Sequence, residues 1–354
     1  MSSRGIRAGG RSRDVGTLVR HWRLRVDLNG VFGALRRSPG SFRFPRARDT
    51  RRPAFSTGRP GIPDDGQAVE RAPMCQFCHQ HGEGRKWYLK AENYSADLLS
   101  DIRRRRYIDE FIRSIGNGTA SELERTFHRA MRLPAWLRHL GYKYHERRYR
   151  KDHFGQVVPI EDLRLVFDLS NSVVRMPCLC RKNTTGRSDA AYCFGLGIDP
   201  ERLLDIKEAF LETFRPGPDA TLFERMSREE ALELHRSFEA QGLIHTVWTF
   251  KSPFIGAICN CDRRDCLAMV SHRYGFQLFF RAEYVASIDK DACIGCRACL
   301  KMCQFGAIGF SVLDRNADID PLRCYGCGVC REACEAGAIR LDARHEHPLA
   351  RNLW

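Results

Sequence analysis

Eight cysteines near the C-terminal end, spaced Cys293-x2-Cys296-x2-Cys299-x3-Cys303 and again Cys324-x2-Cys327-x2-Cys330-x3-Cys334, constrain this chain more than any other feature. All four positions recur at an offset of 31 residues. The likeness extends past the cysteines: Ile288-Asp289 matches Ile319-Asp320, Gly295 matches Gly326, and Gly306-Ala307-Ile308 matches Gly337-Ala338-Ile339. Such a repeat is one unit built twice and packed about a pseudo-twofold axis. Each copy reads as a short strand, a cysteine loop, a short helix and a short strand.

The spacing has a physical reason. Three cysteines at Cys-x2-Cys-x2-Cys let one tight loop wrap three corners of a four-iron cluster, with Gly295 and Gly326 freeing the backbone to bend. The fourth cysteine follows on the helix, too far round to reach the same cluster, and serves the other one. The expectation is two [4Fe–4S] clusters, one on Cys293, Cys296, Cys299 and Cys334, the second on Cys324, Cys327, Cys330 and Cys303. Two four-cysteine zinc sites are the alternative, but zinc favours paired Cys-x2-Cys knuckles.

Over residues 284–343 the chain resembles the bacterial two-[4Fe–4S] ferredoxins, and the resemblance implies transfer of single electrons. It departs from them at one point. Those ferredoxins usually carry Pro after each fourth cysteine, where this chain has Gln304 and Glu335. Glu335 would place negative charge near one cluster, favouring its oxidised form.

Six further cysteines lie in the middle of the chain: Cys178, Cys180 and Cys193, then Cys259, Cys261 and Cys266. Cys178-Leu-Cys180 and Cys259-Asn-Cys261 each offer two sulfurs on one side of an extended segment. Between them, His245 in Gly242-Leu-Ile-His245 could add a nitrogen ligand or a proton donor. Residues 177–181, 242–245 and 258–261 resemble the Pro-Cys-x-Cys-Arg, Gly-Leu-Val/Ile-His and Ile-Cys-Asn-Cys segments of ferredoxin-linked iron–sulfur proteins of anaerobes. The expectation is a third centre, cluster or zinc, at these six cysteines; buried structural thiols and a redox-active disulfide are the alternatives. Near the other end, Cys75-Gln-Phe-Cys78-His79-Gln-His81 sets two thiols and two imidazoles within seven residues, which suits zinc or a cluster. Cys-x2-Cys-His is also the attachment signature of c-type haem, but that chemistry requires export, and no signal segment is recognised.

The net charge of +15 suggests nucleic acid until its distribution is read. Residues 1–73 hold sixteen Arg, no Lys and six acidic residues, leaving only +5 on the remaining chain. That first segment lacks cysteine and any sustained hydrophobic period, so it is expected to be a disordered extension, and Met74 is an alternative start. A basic arm for nucleic acid or an acidic partner is the other reading. No run of eighteen apolar residues is present, so no membrane span is expected. Unsignalled and rich in clustered thiols, the chain is expected in a reducing cytoplasm.

The expected fold class is α+β, with mainly helical N-terminal and middle regions and a C-terminal ferredoxin-like two-cluster domain. The expected divisions are 1–73, a helical 74–170, a helical 171–283 bearing the second cysteine group, the ferredoxin domain at 284–343, and a tail at 344–354. In the first, Ser95 caps a helix with Leu98, Leu99, Ile102, Ile108, Phe111, Ile112 and Ile115 on one side, and Arg103 to Arg106 around a solvated face. The basic, aromatic stretch from Tyr142 to His153 could stack bases. In the second, Asp199-Pro200 starts one helix, with Leu203, Ile206, Phe210 and Phe214 as its stripe. Ser227-x2-Glu230 is a capping box that opens another helix, which Gly242 closes. The functional expectation is an electron-transfer protein or oxidoreductase subunit with redox partner proteins. Its rivals are an enzyme whose substrate meets the middle cysteine–His245 centre, and a zinc-containing nucleic-acid or interaction protein. No dinucleotide fingerprint, phosphate loop or radical-initiating cysteine motif is present in the sequence.

Overall fold

The computed structural model of the chain describes residues 86–118, 120–197, 204–215 and 222–353. The Arg-rich segment, Met74, the Cys75–His81 motif and the Asp199-Pro200 helix start lie outside the described residues.

Ser95 caps as expected, its hydroxyl accepting the Leu98 N–H at 3.3 Å, but the helix it opens is only α1 (Ala96–Ser100). Asp101 stands between in extended conformation and caps a second helix, α2 (Ile102–Asn117), through Arg103 N–H at 2.8 Å. A short acidic side chain competes well for a free helix-terminal amide, so the expected single helix is split in two, and Ile102, expected on the apolar side, is 73% exposed where the second begins. The solvated arginine face is corrected at one position. Arg104 is buried, donating to the Phe250 and Lys251 carbonyls at 3.0 Å. Next come α3 (Ala120–Met131) and α4 (Ala135–Asp152), which buries Tyr142, His145 and Glu146. Tyr142 and His145 are thereby withdrawn from any base-stacking surface.

The expected helices of the middle region pack on a framework the helical reading omitted, a seven-stranded sheet. Its strands are β1 (Gly155–Val158), β2 (Val173–Met176), β3 (Cys193–Leu196), β4 (Glu224–Met226), β5 (Ile244–Thr249), β6 (Ile255–Cys261) and β7 (Phe279–Phe280), in the order β4-β2-β3-β6-β5-β1-β7. Only the β1–β7 pair is parallel. β1 pairs with β5, so a single sheet crosses the expected division at 170/171. The strands were hard to see because β1, β2 and β3 are only four residues long, and β1, β5 and β6 are buried at successive positions, which removes the alternation of apolar and polar residues that marks a half-exposed strand.

Helices cover both faces. On one side lie α5 (Ile160–Leu169) and α8 (Arg228–Ala240), whose Leu163, Val166, Phe167, Ala231 and Phe238 pack on Val158, Phe194, Val247 and Ile258. The capping box at Ser227 and Glu230 is present. Gly242, at φ +86°, ends α8, its N–H reaching the Glu239 carbonyl while Leu243 N–H reaches Phe238. On the other side lie α2, α6 (Leu179–Thr185), α7 (Leu204–Phe214) and α9 (Leu267–Arg273). Here Ile108, Ile112, Phe210 and Phe214 gather around Phe254.

The C-terminal module follows on β8 (Tyr284–Ile288), α10 (Ala298–Met302), β9 (Ile308–Ser311), β10 (Asn316–Ile319) and β11 (Ile339–Ala343). β8 pairs with β11 across the whole module, Ile288 opposite Ile339, while β9 and β10 form a hairpin. The first strand of one repeat thus pairs with the last strand of the other. Arg281 fastens the module to the sheet layer, donating to the Cys324 carbonyl at 2.6 Å and the Leu322 carbonyl at 2.8 Å.

Candidate metal centres

Crossing β8 with β11 brings each fourth cysteine to the loop of the opposite repeat. Cys293, Cys296, Cys299 and Cys334 line one small cavity, walled by Ile288, Ala317 and Ile339. Cys303 lies in the electrostatic neighbourhood of Cys324, Cys327 and Cys330. Both glycines that begin the loops are required by contact as well as by φ. A Cβ on Gly295, at φ +70°, would sit 2.3 Å from the Arg315 carbonyl oxygen, and one on Gly326, at φ +68°, would sit 2.1 Å from that of Tyr284.

Backbone amides point at the sulfurs, repeating across the two halves. Ala307 N–H donates to Cys303 Sγ at 3.2 Å, and its repeat mate Ala338 N–H donates to Cys334 Sγ at 3.3 Å. Cys324 Sγ accepts from Ala286 and Gly326 N–H, both at 3.4 Å. Burial pushes the thiols of Cys299, Cys324 and Cys327 up, and that of Cys330 to about 12, with neighbouring cysteines adding to each. Thiolates so disfavoured need a cationic partner, which the iron of a cluster would supply. The two halves differ in exposure at one position: Cys296 is exposed, while its repeat mate Cys327 is half-buried; Cys299 and Cys330 are both buried. Glu335 is exposed, where solvent screens its charge.

The six middle cysteines also come together. Cys193 Sγ lies 3.5 Å from Cys259 Sγ, and Cys266 Sγ lies 3.1 Å from Cys261 Sγ. Thiol hydrogen bonds continue from Cys193 to Cys178, Cys178 to Cys180, and Cys180 to Cys266. The ring closes at Cys259 and Cys261, which share one face of β6. The Cys178–Cys180 pair is not extended as expected. Cys178 caps α6 and Cys180 lies in its first turn, so their sulfurs meet by helix geometry. Cys266 caps α9 in the same way. No three His, Cys, Asp or Glu side chains among the described residues converge on a point fit for a single ion. Four of the six thiols, those of Cys180, Cys193, Cys259 and Cys266, line part of an apolar cavity.

Arg181 is the buried cation of this group. Its guanidinium approaches Cys178 Sγ at 3.9 Å, donates to the Asn260 carbonyl at 3.0 Å, pairs with Asp262 and stacks on Tyr192 at 3.8 Å. Hydrogen bonds from Cys180 and Cys193, with Arg181 beside them, hold the Cys178 thiol well below its ordinary range. No sequence period announces this role; only its place after Cys180 could have suggested it.

His245 belongs elsewhere. On β5 it pairs with Asn260, which alternates with Cys259 and Cys261 on β6, so both side chains point to the opposite face of the sheet. There His245 Nδ1 donates to Asn260 Oδ1 at 2.6 Å, and Asn260 Nδ2 donates to His235 Nε2 at 3.2 Å. The expected cysteine–His245 centre is therefore split by strand alternation. Burial lowers His245 to about 4, so the ring is neutral, and its Nε2 has no partner among the described residues.

A continuous apolar layer joins the two thiol groups. Cys180, Cys259, Cys261 and Cys266 pack in one cluster with Phe279, Met302, Phe305, Tyr325, Val329 and Cys327. Phe305 and Tyr325 stack within it, ring centres 4.0 Å apart and nearly parallel at 9°. Gln304, where the ferredoxins have Pro, bridges the same junction. Its Oε1 accepts the Arg263 N–H at 3.0 Å and its Nε2 donates to the Gly242 carbonyl at 2.6 Å.

No helix among the described residues is long and apolar enough to cross a membrane. Comparison with curated proteins gives no match to the chain. The 4Fe-4S dicluster domain family matches residues 292–347. Those residues form an iron–sulfur, ferredoxin-like electron-transfer module.

Proposed function

We propose that this chain is an electron relay with three thiol-held centres. Cys293, Cys296, Cys299 and Cys334 hold one [4Fe–4S] cluster, Cys303, Cys324, Cys327 and Cys330 hold the second, and the ring of Cys178, Cys180, Cys193, Cys259, Cys261 and Cys266 holds a further iron–sulfur centre. The reading rests on one observation above all, the unbroken apolar packing from Cys327 through Phe305 and Tyr325 to Cys261 and Cys266. Soft thiolates gathered beside a cavity, with no point of convergence for one ion among the described residues, suit a multi-iron group better than zinc. Exposure gives the relay a direction. Around exposed Cys296, Ile294 and the hairpin tip at Val312 and Leu313 are solvent-facing, suiting a redox partner protein, while no cysteine of the second set or of the ring is exposed.

Anaerobic purification followed by iron and sulfide analysis tests this. About twelve of each per chain, with three reducible signals by electron paramagnetic resonance, is expected. About eight of each would remove the third centre, and a colourless zinc-loaded chain would end the reading altogether. One observation favours a second reading, an enzyme with its substrate beside the ring: an apolar cavity opens onto four of the six thiols.

A further inference from the structure

Reducing a four-iron cluster adds one negative charge, which burial disfavours unless a hydrogen-bond donor, a cation or water answers it. At the first set water can do so, because Cys296 is exposed. None of Cys303, Cys324, Cys327 and Cys330 is exposed, so the second set must draw its countercharge from the protein. Without one, the inner cluster would be the harder to reduce, and an electron arriving beside Cys296 would stay there.

Arg281 stands where that charge is needed. It lies between β7 and β8, outside the cysteine repeat, and is half-buried. Its guanidinium donates to the Cys324 carbonyl at 2.6 Å and the Leu322 carbonyl at 2.8 Å, and covers the Tyr325 ring at 4.4 Å. The backbone beneath it is pinned as well. Gln156 Nε2 donates to the Arg281 carbonyl at 3.1 Å, and Ala282 N–H donates to the Tyr325 carbonyl at 2.9 Å. Arg281 forms no salt bridge among the described residues, and Asp320 acts on it only at longer range. The other cation near this set, Arg331, is neutralised: two of its nitrogens donate to the Glu161 carboxylate at 2.6 and 3.0 Å.

The first half of the repeat has no counterpart. Tyr325 corresponds to Ile294, which is 70% exposed and offers no ring. Arg297 lies over Phe310 at 4.0 Å but is exposed, where solvent screens its charge. The amides differ in the same sense. Ala286 and Gly326 N–H donate to Cys324 Sγ, whereas their repeat mates Ala317 and Gly295 make no such bond to Cys293 among the described residues.

We infer that Arg281 is the countercharge of the second cluster, a positioning residue that raises its potential so that an electron passes inward, the first cluster being oxidised as the second is reduced. The inference rests on the two-cluster reading of the module and deepens it by ordering the clusters.

The test is a potentiometric titration of the full chain, purified anaerobically with its iron and followed by electron paramagnetic resonance. In the wild type the signal of the Cys324 set should appear at a potential no lower than that of the Cys293 set. Arg281→Gln, which removes the charge, should lower the reduced-to-oxidised ratio of the Cys324 set about tenfold at a fixed potential, a shift of about 59 mV for one electron, and leave the other signal in place. Arg281→Lys keeps the charge but not the fork across two carbonyls, and should retain most of the wild-type potential. Hydrogen exchange at the Ala282 amide reads docking separately and should be alike in both variants. Equal shifts in the two variants, or both signals moving together, would assign Arg281 a structural role and overturn the inference. So would a wild-type Cys324 set that is reduced only after the Cys293 set is full, an outcome that needs no variant to fold. Two signals without the expected order remove the role of Arg281 and leave the relay, whereas a chain that loads one cluster or none removes both.

Discussion

Gln304 donates from its side-chain amide to the carbonyl of Gly242 at 2.6 Å, tying the residue after Cys303 to the turn that ends α8. The same side chain accepts the Arg263 N–H from the loop between Cys261 and Cys266. A proline here would stiffen the cysteine loop but could make neither bond, having no side-chain amide. The exchange of a local constraint for a bridge between thiol groups fits a module that is docked rather than free. Gln304→Ala should keep the iron content and lose about 1–3 kcal/mol of docking. Hydrogen exchange reads this directly, through lost protection of the Arg263 amide; unchanged protection would show the bridge to be dispensable.

Cross-sharing makes a second expectation specific. Because β8 pairs with β11, Cys303 belongs spatially with Cys324, Cys327 and Cys330, and Cys334 with Cys293, Cys296 and Cys299. Cys303→Ser should therefore disturb the paramagnetic signal of the set bearing Cys324, and Cys334→Ser that of the set bearing Cys293. Loss of the sequence-adjacent signal in either variant would contradict the assignment.

Much of this module was legible because a ligand spacing is a local geometric constraint, and a 31-residue repeat states it twice. The capping box at Ser227 was readable for the same reason, since cap chemistry spans only four residues. What the sequence hid was non-local. Val173–Met176 and Cys193–Leu196 are four-residue strands with no alternation of apolar and polar residues to read. The six middle thiols could be grouped by type, but their closure into a ring needs β3 and β6 in register, Cys193 opposite Cys259. His245 misled because proximity in sequence to a cysteine segment says nothing about which face of a sheet a residue takes. Only the pairing of His245 with Asn260 decides it.

Two glycines of the module provide an internal control for backbone effects. Gly326 and Gly337 both have positive φ, at +68° and +62°, but a Cβ on Gly326 meets the Tyr284 carbonyl oxygen at 2.1 Å, whereas one on Gly337 meets nothing within 4 Å. Gly337→Ala carries only the left-handed penalty, roughly 1–2 kcal/mol. Gly326→Ala must also push β8 away from its cysteine loop, and should prevent loading of the adjacent set. Iron content and thermal midpoint, measured side by side, check the contrast; equal behaviour of the two variants would refute it.

Glu239 on α8 gives the stability of the chain a pH dependence. It is buried, its Oε1 has no hydrogen-bond partner among the described residues, and burial, with Glu332 adding, pushes its carboxyl up to about 7. Arg331 opposes the shift without cancelling it. The folded state therefore holds a proton that the unfolded chain, near 4.5, has already released. Stability from this group is fully present below about pH 4.5, declines as pH rises through the window to 7, and is gone above it. At roughly 1.4 kcal/mol per unit, the loss is about 3 kcal/mol at most. Glu239→Gln keeps the shape and removes the titration, so its advantage over wild type should be small at pH 5 and amount to several degrees of melting temperature at pH 8. Anaerobic melts of both proteins at the two pH values measure it, and an advantage that does not grow with pH would exclude Glu239 as the source.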